Sequence, residues 1–218
     1  IYFKMADETV SAAESYSERI AVKIRTLELL SVLDMLCLVI LIVIQTLAAM
    51  KMSVLNKLLE QRAYTDAHTG LPNKDACEVL LNNKETVAKH TACMMFDLNN
   101  LKIINDTKGH SKGDQLILNF ARLLRNVIPQ KDFVGRYGGD EFMVVIYNTS
   151  KTEIEDILKQ LSREKDRLNS SGNNMPIDYA CGWAISDADS ECTIQMLLDK
   201  ADYYMYENKQ AYKKSKKS

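Results

Sequence analysis

The chain has 218 residues, a formal net charge of −1, 46% hydrophobic residues and five cysteines. That length holds one ordinary domain plus an appendage, and near-neutrality excludes the broad basic field that tracks a nucleic-acid backbone. Cys37, Cys77, Cys93, Cys181 and Cys192 are odd in number and lack any C-x-x-C spacing, which argues against a zinc site and fits a reducing compartment.

The chain opens at Ile1, so a longer parent protein is expected. In residues 1–28, Val10, Ala13, Ser17, Ile20, Ile24 and Leu27 recur at three- and four-residue steps, which predicts one long helix with a narrow seam. Ordinary amphipathic packing explains that seam as well as a coiled coil does. Residues 29–50 read "LLSVLDMLCLVILIVIQTLAAM" and are apolar on every face between Met35 and Ile44. As a helix they would extend about 33 Å, enough to cross a bilayer. A transmembrane helix is the preferred reading; a buried core helix, suggested by Asp34 near one end, is the competing one. Residues 51–65 continue the helical pattern through Val54, Leu55, Leu58 and Leu59 as a linker. Basic residues do not orient the span, because Arg19, Lys23 and Arg25 balance Lys51, Lys57 and Arg62.

From Asp66 onward the texture is α+β. Helical "KDACEVLLNN", the strand "ACMMFDL", the helix "KGDQLILNFARLLRNVI", a hairpin around Gly138 and Gly139, the helix "KTEIEDILKQLSREKDRL", the strand "PIDYACGWAIS" and the helix "TIQMLLDKADYYMYENKQAYK" follow in order. This order predicts a ferredoxin-like sheet with helices on one face. Leu116, Leu118, Phe120, Leu123 and Leu124 read as core-facing and flanking residues of one helix, Trp183 is expected on the sheet, and Tyr203, Tyr204 and Tyr206 read as core and surface packing residues. Residues 214–218 are a basic, frayed tail.

The hairpin carries "RYGGDEF" at 136–142. Two glycines permit the positive φ of a tight turn, but the adjacent Asp140 and Glu141 call for a reason. Asp97 ends the strand "CMMFD", and a ferredoxin-like sheet would bring it near both. Three converging carboxylates raise one another's pKa unless a cation intervenes, and hard oxygen ligands suit Mg²⁺ or Mn²⁺ beside phosphate.

With "DAHTGLPNK" at 66–74, "FDLNNLKIINDTKGHSKGD" at 96–114, "ACGWA" at 180–184 and "ADYYMYENK" at 201–209, the chain resembles the GGDEF family of diguanylate cyclases from Asp66 to Lys213. The resemblance implies a palm-type fold related to adenylyl cyclases and the condensation of two GTP into cyclic di-GMP and pyrophosphate, a nucleotidyltransferase reaction shared across a homodimer. It implies that Asp97 and the Leu98 carbonyl bind metal ions, that Asp140 binds metal and takes the 3′-hydroxyl proton, and that Glu141 completes the metal site. Asn105 and Asp114 match guanine-reading positions, and His110 matches one near the nucleotide. Lys102, Lys209 and Lys213 match phosphate contacts, and Gly138 and Gly139 would let backbone approach the nucleotide.

Departures from the family pattern are Asn99 for a second Asp, Lys213 for Arg, Tyr212 for Gly, His68 for Leu and Lys74 for Arg. The family's inhibitory R-x-x-D reads "PQKD" here, with Pro129 for Arg and Asp132 kept, so no inhibitory site is expected. Because GTP is cytosolic, the resemblance places residues 66–213 in the cytoplasm and residues 1–28 across the membrane. The alternatives are a degenerate domain that binds GTP or cyclic di-GMP without turnover, and a membrane signalling scaffold.

Overall fold

A computed structural model describes residues 2–83, 86–87, 90–171, 176–186 and 192–215. The chain divides into two units, residues 1–59 and 60–218. The first is helical throughout. Helix α1 (Tyr2–Ala63) runs through it without a break, and its stretch Thr9–Glu60 is long and apolar enough to cross a membrane. Two hydroxyls within its apolar stretch are satisfied locally: Ser31 and Thr46 donate to the Glu28 and Val43 carbonyls, each at 2.8 Å.

The second unit contains α2 (Lys74–Leu81), β1 (Ala92–Leu98), α3 (Leu101–Lys108), α4 (His110–Val127), β2 (Phe133–Arg136), β3 (Glu141–Ile146), α5 (Lys151–Ser170), β4 (Tyr179–Ile185) and α6 (Ile194–Ser215). The strands form one antiparallel sheet in the order β2-β3-β1-β4, the split βαβ order expected from the sequence. Strand β1 lies inside this sheet and is buried at every position. That is why "ACMMFDL" shows no alternation of apolar and polar residues.

Side chains nevertheless alternate between the two faces. Met94, Phe96 and Leu98 join Phe142 and Val144 in a core built with Leu116, Phe120 and Leu124 of α4 and Ile154 and Leu161 of α5. Phe120 makes edge contacts with Phe96 at 5.9 Å and Phe142 at 5.0 Å. Cys93 and Met95 point the other way with Met143 and Val145, into a second core with Cys77 and Leu81 of α2 and Leu197, Leu198, Ala201 and Met205 of α6. Helices therefore cover both faces, which corrects the expectation of one. The crossover helices α4 and α5 occupy the expected face, and the C-terminal helix turns under the sheet to bury the other.

Two further expectations change. Helix α3, absent from the sequence reading, fills the segment between β1 and α4. Of the core and surface packing expected for Tyr203, Tyr204 and Tyr206, the surface part holds: all three are exposed, and the Tyr203 and Tyr204 rings meet edge-on at 5.7 Å; Trp183 packs against the α4/α5 face as expected. The Lys-rich end is helical through Ser215, and residues 216–218 lie outside the described residues.

Contact between α6 and β4 depends on Gly182. A Cβ there would lie 2.1 Å from both the Ala201 carbonyl oxygen and the Met205 nitrogen. Both are backbone atoms, so no rotamer change relieves the clash. Gly182→Ala is expected to destabilise the chain by about 2 kcal/mol or more, read as a lower midpoint in denaturant unfolding. An unchanged midpoint would show that α6 is not held this closely.

Candidate active site

The alternation that sends Cys93 and Met95 toward α6 sends Asp97 there too, at the end of the strand. Asp97 sits directly opposite Glu141 in the β1–β3 register. The Leu98 N–H donates to the Asp140 carbonyl at 2.9 Å. The acids from the first strand and from the hairpin are thus joined by strand pairing, as the sequence predicts.

Of the roles expected for the hairpin glycines, the positive φ of a tight turn is not observed. Neither Gly138 nor Gly139 is among the positive-φ glycines, which are Gly70 and Gly109. A Cβ on Gly138 would lie 2.5 Å from Glu141 Oε2, so a side chain there would displace the Glu141 carboxylate. The Gly138 N–H and that of Tyr137 both donate to the Glu141 carbonyl, at 3.2 and 2.8 Å. Gly139 is exposed, with open space where its side chain would be.

Electrostatics at this end of the sheet centre on one ion pair. Asp97 is 5% exposed, and Lys209 of α6 donates to its Oδ2 at 2.5 Å. The other oxygen, Oδ1, is buried without a hydrogen-bond partner. Burial raises the Glu141 carboxyl above its ordinary range, as do the charges of Asp140, Asp97 and Asp202, while Lys209 opposes the shift. An unpartnered buried oxygen beside two more carboxylates is a donor set suited to Mg²⁺ or Mn²⁺. Among the described residues, however, no three His, Cys, Asp or Glu groups are already gathered around one point as a metal requires. Asp97, Asp140 and Glu141 could hold a divalent ion after their side chains reorient and Lys209 withdraws.

A second cluster lies where α3 meets α4. Gly109, at φ +84°, joins the two helices, and its N–H donates to the Asn105 carbonyl at 3.0 Å. Asn105 Oδ1 is buried without a partner. The carboxamide fits only because Gly113 has no side chain: a Cβ there would come within 1.9 Å of that oxygen. Asp114 follows Gly113 with its side chain exposed, and its carbonyl meets His68 Nε2 at 3.0 Å. Lys102 on α3, His110 at the start of α4 and Lys213 on α6 are all exposed.

Sequence reasoning missed the groups that brace these clusters. Arg136 Nη1 lies 3.2 Å from both carboxylate oxygens of Asp66, and Nη2 donates to the Gly139 carbonyl at 2.8 Å. The hairpin is thereby clamped to the loop before α2. Burial alone would raise the Asp66 carboxyl, but hydrogen bonds from the Thr69 hydroxyl and N–H, with the Arg136 charge, hold it below its ordinary range. Tyr212 of α6 donates to Asp178 ahead of β4. Arg136 and Asp66 open two of the quoted sequence blocks, which was the available signal; their pairing leaves no periodic trace.

Four cavities formed by the described residues have none of Asp97, Asp140 and Glu141 in their lining. One of about 570 Å³ is lined by Arg125, Pro129, Asp132 and neighbours; another of about 390 Å³ borders the hairpin and includes Asp66, Arg136 and Gly139. In the first, Asp132 Oδ1 is committed to the Tyr147 N–H at 3.1 Å.

The family described as "Diguanylate cyclase, GGDEF domain" matches residues 63–215. The diguanylate cyclase DgcP of Escherichia coli is 30% identical over 165 residues, covering 73% of this chain and 48% of that protein. The cyclic di-GMP phosphodiesterase PdeB of Shewanella oneidensis is 32% identical over 146 residues, covering 66% of this chain and 17% of that protein. The chain therefore spans less than half of either relative. Among solved structures, a microbial GGDEF domain studied for its interaction with cyclic di-GMP is 27% identical, with a TM-score of 0.60, covering 70% of this chain and 94% of that one.

The raised Glu141 carboxyl has a consequence for stability. Between its ordinary value of 4.5 and its folded value, the unfolded chain ionises first, so stability falls as pH rises through that window. Glu141→Gln is therefore expected to melt above the parent in metal-free buffer at neutral pH, with the gap closing below pH 4.5. A variant less stable than the parent at neutral pH would show that Glu141 is not under this electrostatic load.

Proposed function

The chain belongs to the GGDEF family, and on that premise we propose that it is a diguanylate cyclase, condensing two GTP molecules into cyclic di-GMP with release of pyrophosphate. The observation that carries this reading is the register pairing of Asp97 with Glu141, which joins the acid of the first strand to those of the hairpin. Its fold, in this reading, is the palm type shared with adenylyl cyclases.

Asp97, Asp140, Glu141 and the Leu98 carbonyl hold Mg²⁺ or Mn²⁺, which supplies charge neutralisation at the α-phosphate and the leaving pyrophosphate. Asn105 and Asp114 read the guanine edge, the amide and carboxylate matching its acceptor and donors. Lys102, Lys209 and Lys213 offset phosphate charge, and His110 stands beside the nucleotide. Asp140 accepts the proton of the attacking 3′-hydroxyl. Gly138 and Gly139 keep the hairpin backbone open to the substrate. One domain presents one GTP, so two copies of the chain must face each other as a homodimer, and most of the rate enhancement comes from positioning and electrostatics.

Residues 29–50 span the membrane, with 1–28 beyond it. Residues 51–65 link the span to a cytoplasmic catalytic domain at 66–213, and 214–218 form its basic end. The absence of Arg at Pro129, together with the use of Asp132 to hold the Tyr147 backbone, supports a cyclase without product inhibition at that position. A domain that binds GTP or cyclic di-GMP without turnover is the competing reading, favoured by the ammonium already seated on Asp97; the intact set of acids weighs against it.

The test measures nucleotide products from GTP with Mg²⁺ or Mn²⁺. The parent chain should make cyclic di-GMP, Asp97→Asn should lower the rate by about a hundredfold or more, and added cyclic di-GMP should leave the parent rate unchanged. A parent that makes no product even when forcibly dimerised, or an Asp97→Asn variant of full activity, overturns the proposal.

A further inference from the structure

Lys209 stands where a metal-binding carboxylate should be free. We propose that its ammonium is the resident cation of Asp97 in the metal-free protein, that a divalent ion must displace it, and that the displaced ammonium then serves the phosphates of the nucleotide. The inference rests on the assignment of Asp97 as a metal ligand.

Three features of the structure converge on it. The Asp97 side chain is only 8% exposed and would be an uncompensated buried charge without Lys209. Lys209 satisfies Oδ2 alone, leaving Oδ1 buried and unpartnered, so the carboxylate is neutralised in charge but not in coordination. Lys209 is itself 27% exposed, so its ammonium has a path toward solvent and ligand.

The backbone of α6 does not have to move for this exchange. Met205 and Ala201 lie about one and two turns before Lys209 and are pinned against Gly182. The long side chain pivots on a fixed stem, and lysine, a point charge on four methylenes, suits a change of partner better than a planar guanidinium. Glu141 and Asp202 of the same cluster bear on the balance as well: Lys209 lessens the charge load on Glu141 and Asp202 adds to it. Metal entering without nucleotide must evict Lys209 into solvent; metal entering with nucleotide gives it a phosphate partner. Metal and GTP should therefore bind cooperatively.

The experiment is Mn²⁺ binding to the full chain in detergent, followed by electron paramagnetic resonance, with and without a non-hydrolysable GTP analogue. Without nucleotide, Lys209→Met and Lys209→Gln should each bind Mn²⁺ about tenfold tighter than the parent or better. The Gln variant retains a neutral donor to Asp97 and covers the case in which the Met variant does not fold. With the analogue the order should reverse, the parent binding the metal–nucleotide pair more tightly than either variant. Mn²⁺ affinity unchanged or weakened in the folded variants, while Asp97→Asn abolishes binding, overturns the exchange and leaves the metal site standing. Mn²⁺ binding that Asp97→Asn does not alter overturns the metal assignment and the exchange with it.

Discussion

A carboxylate buried at the end of an interior strand has to be neutralised, and the arrangement of this domain follows from how that is done. Asp97 faces α6 because it shares the parity of Cys93 and Met95, and α6 brings Lys209 to it across 112 positions of sequence. An ion pair this deeply placed contributes little net stability over an apolar pair of the same volume. Its presence is better explained by chemistry that needs the acid than by folding.

Close approaches at glycines recur around these clusters. Gly182 lets α6 lie against β4, Gly138 leaves room for the Glu141 carboxylate, and Gly113 leaves room for the Asn105 carboxamide. Arg136 and Asp66 then tie the hairpin to the loop before α2. The cost is electrostatic crowding at Glu141, in a fold whose two faces of the sheet each bury an apolar core. Such load at a site, offset by packing elsewhere, is the pattern expected where function and stability compete.

How much of this was legible in the sequence depended on the range of the interaction. Strand β1, the hairpin and the helices α2, α4, α5 and α6 announce themselves through local pattern, and the convergence of Asp97 with Asp140 and Glu141 followed from ordering those elements into a split βαβ sheet. Helix α3 escaped because Leu101–Lys108 is short and buries only Ile104, too little for a periodic stripe. The second helical layer escaped because the apolar positions of α6, Leu197, Leu198, Ala201 and Met205, say that one side is buried but not against which face. The partner of Asp97 escaped altogether: a lysine in a Lys-rich helix carries no sign that its ammonium lies on a distant carboxylate. For the hairpin glycines, composition pointed to positive-φ turn geometry, which neither adopts; at Gly138 a Cβ would instead meet the Glu141 side chain.

The central claim is that acids from β1 and the hairpin share divalent ions against a guanine nucleotide. The measurement closest to it is a crystal structure of the chain with Mn²⁺ and a non-hydrolysable GTP analogue, the metal located by its anomalous signal. The account predicts Mn²⁺ bound by Asp97 together with Asp140 or Glu141, the guanine held by Asn105 and Asp114, and Lys209 turned from Asp97 to phosphate. Nucleotide bound elsewhere, or Mn²⁺ remote from Asp97, would contradict it.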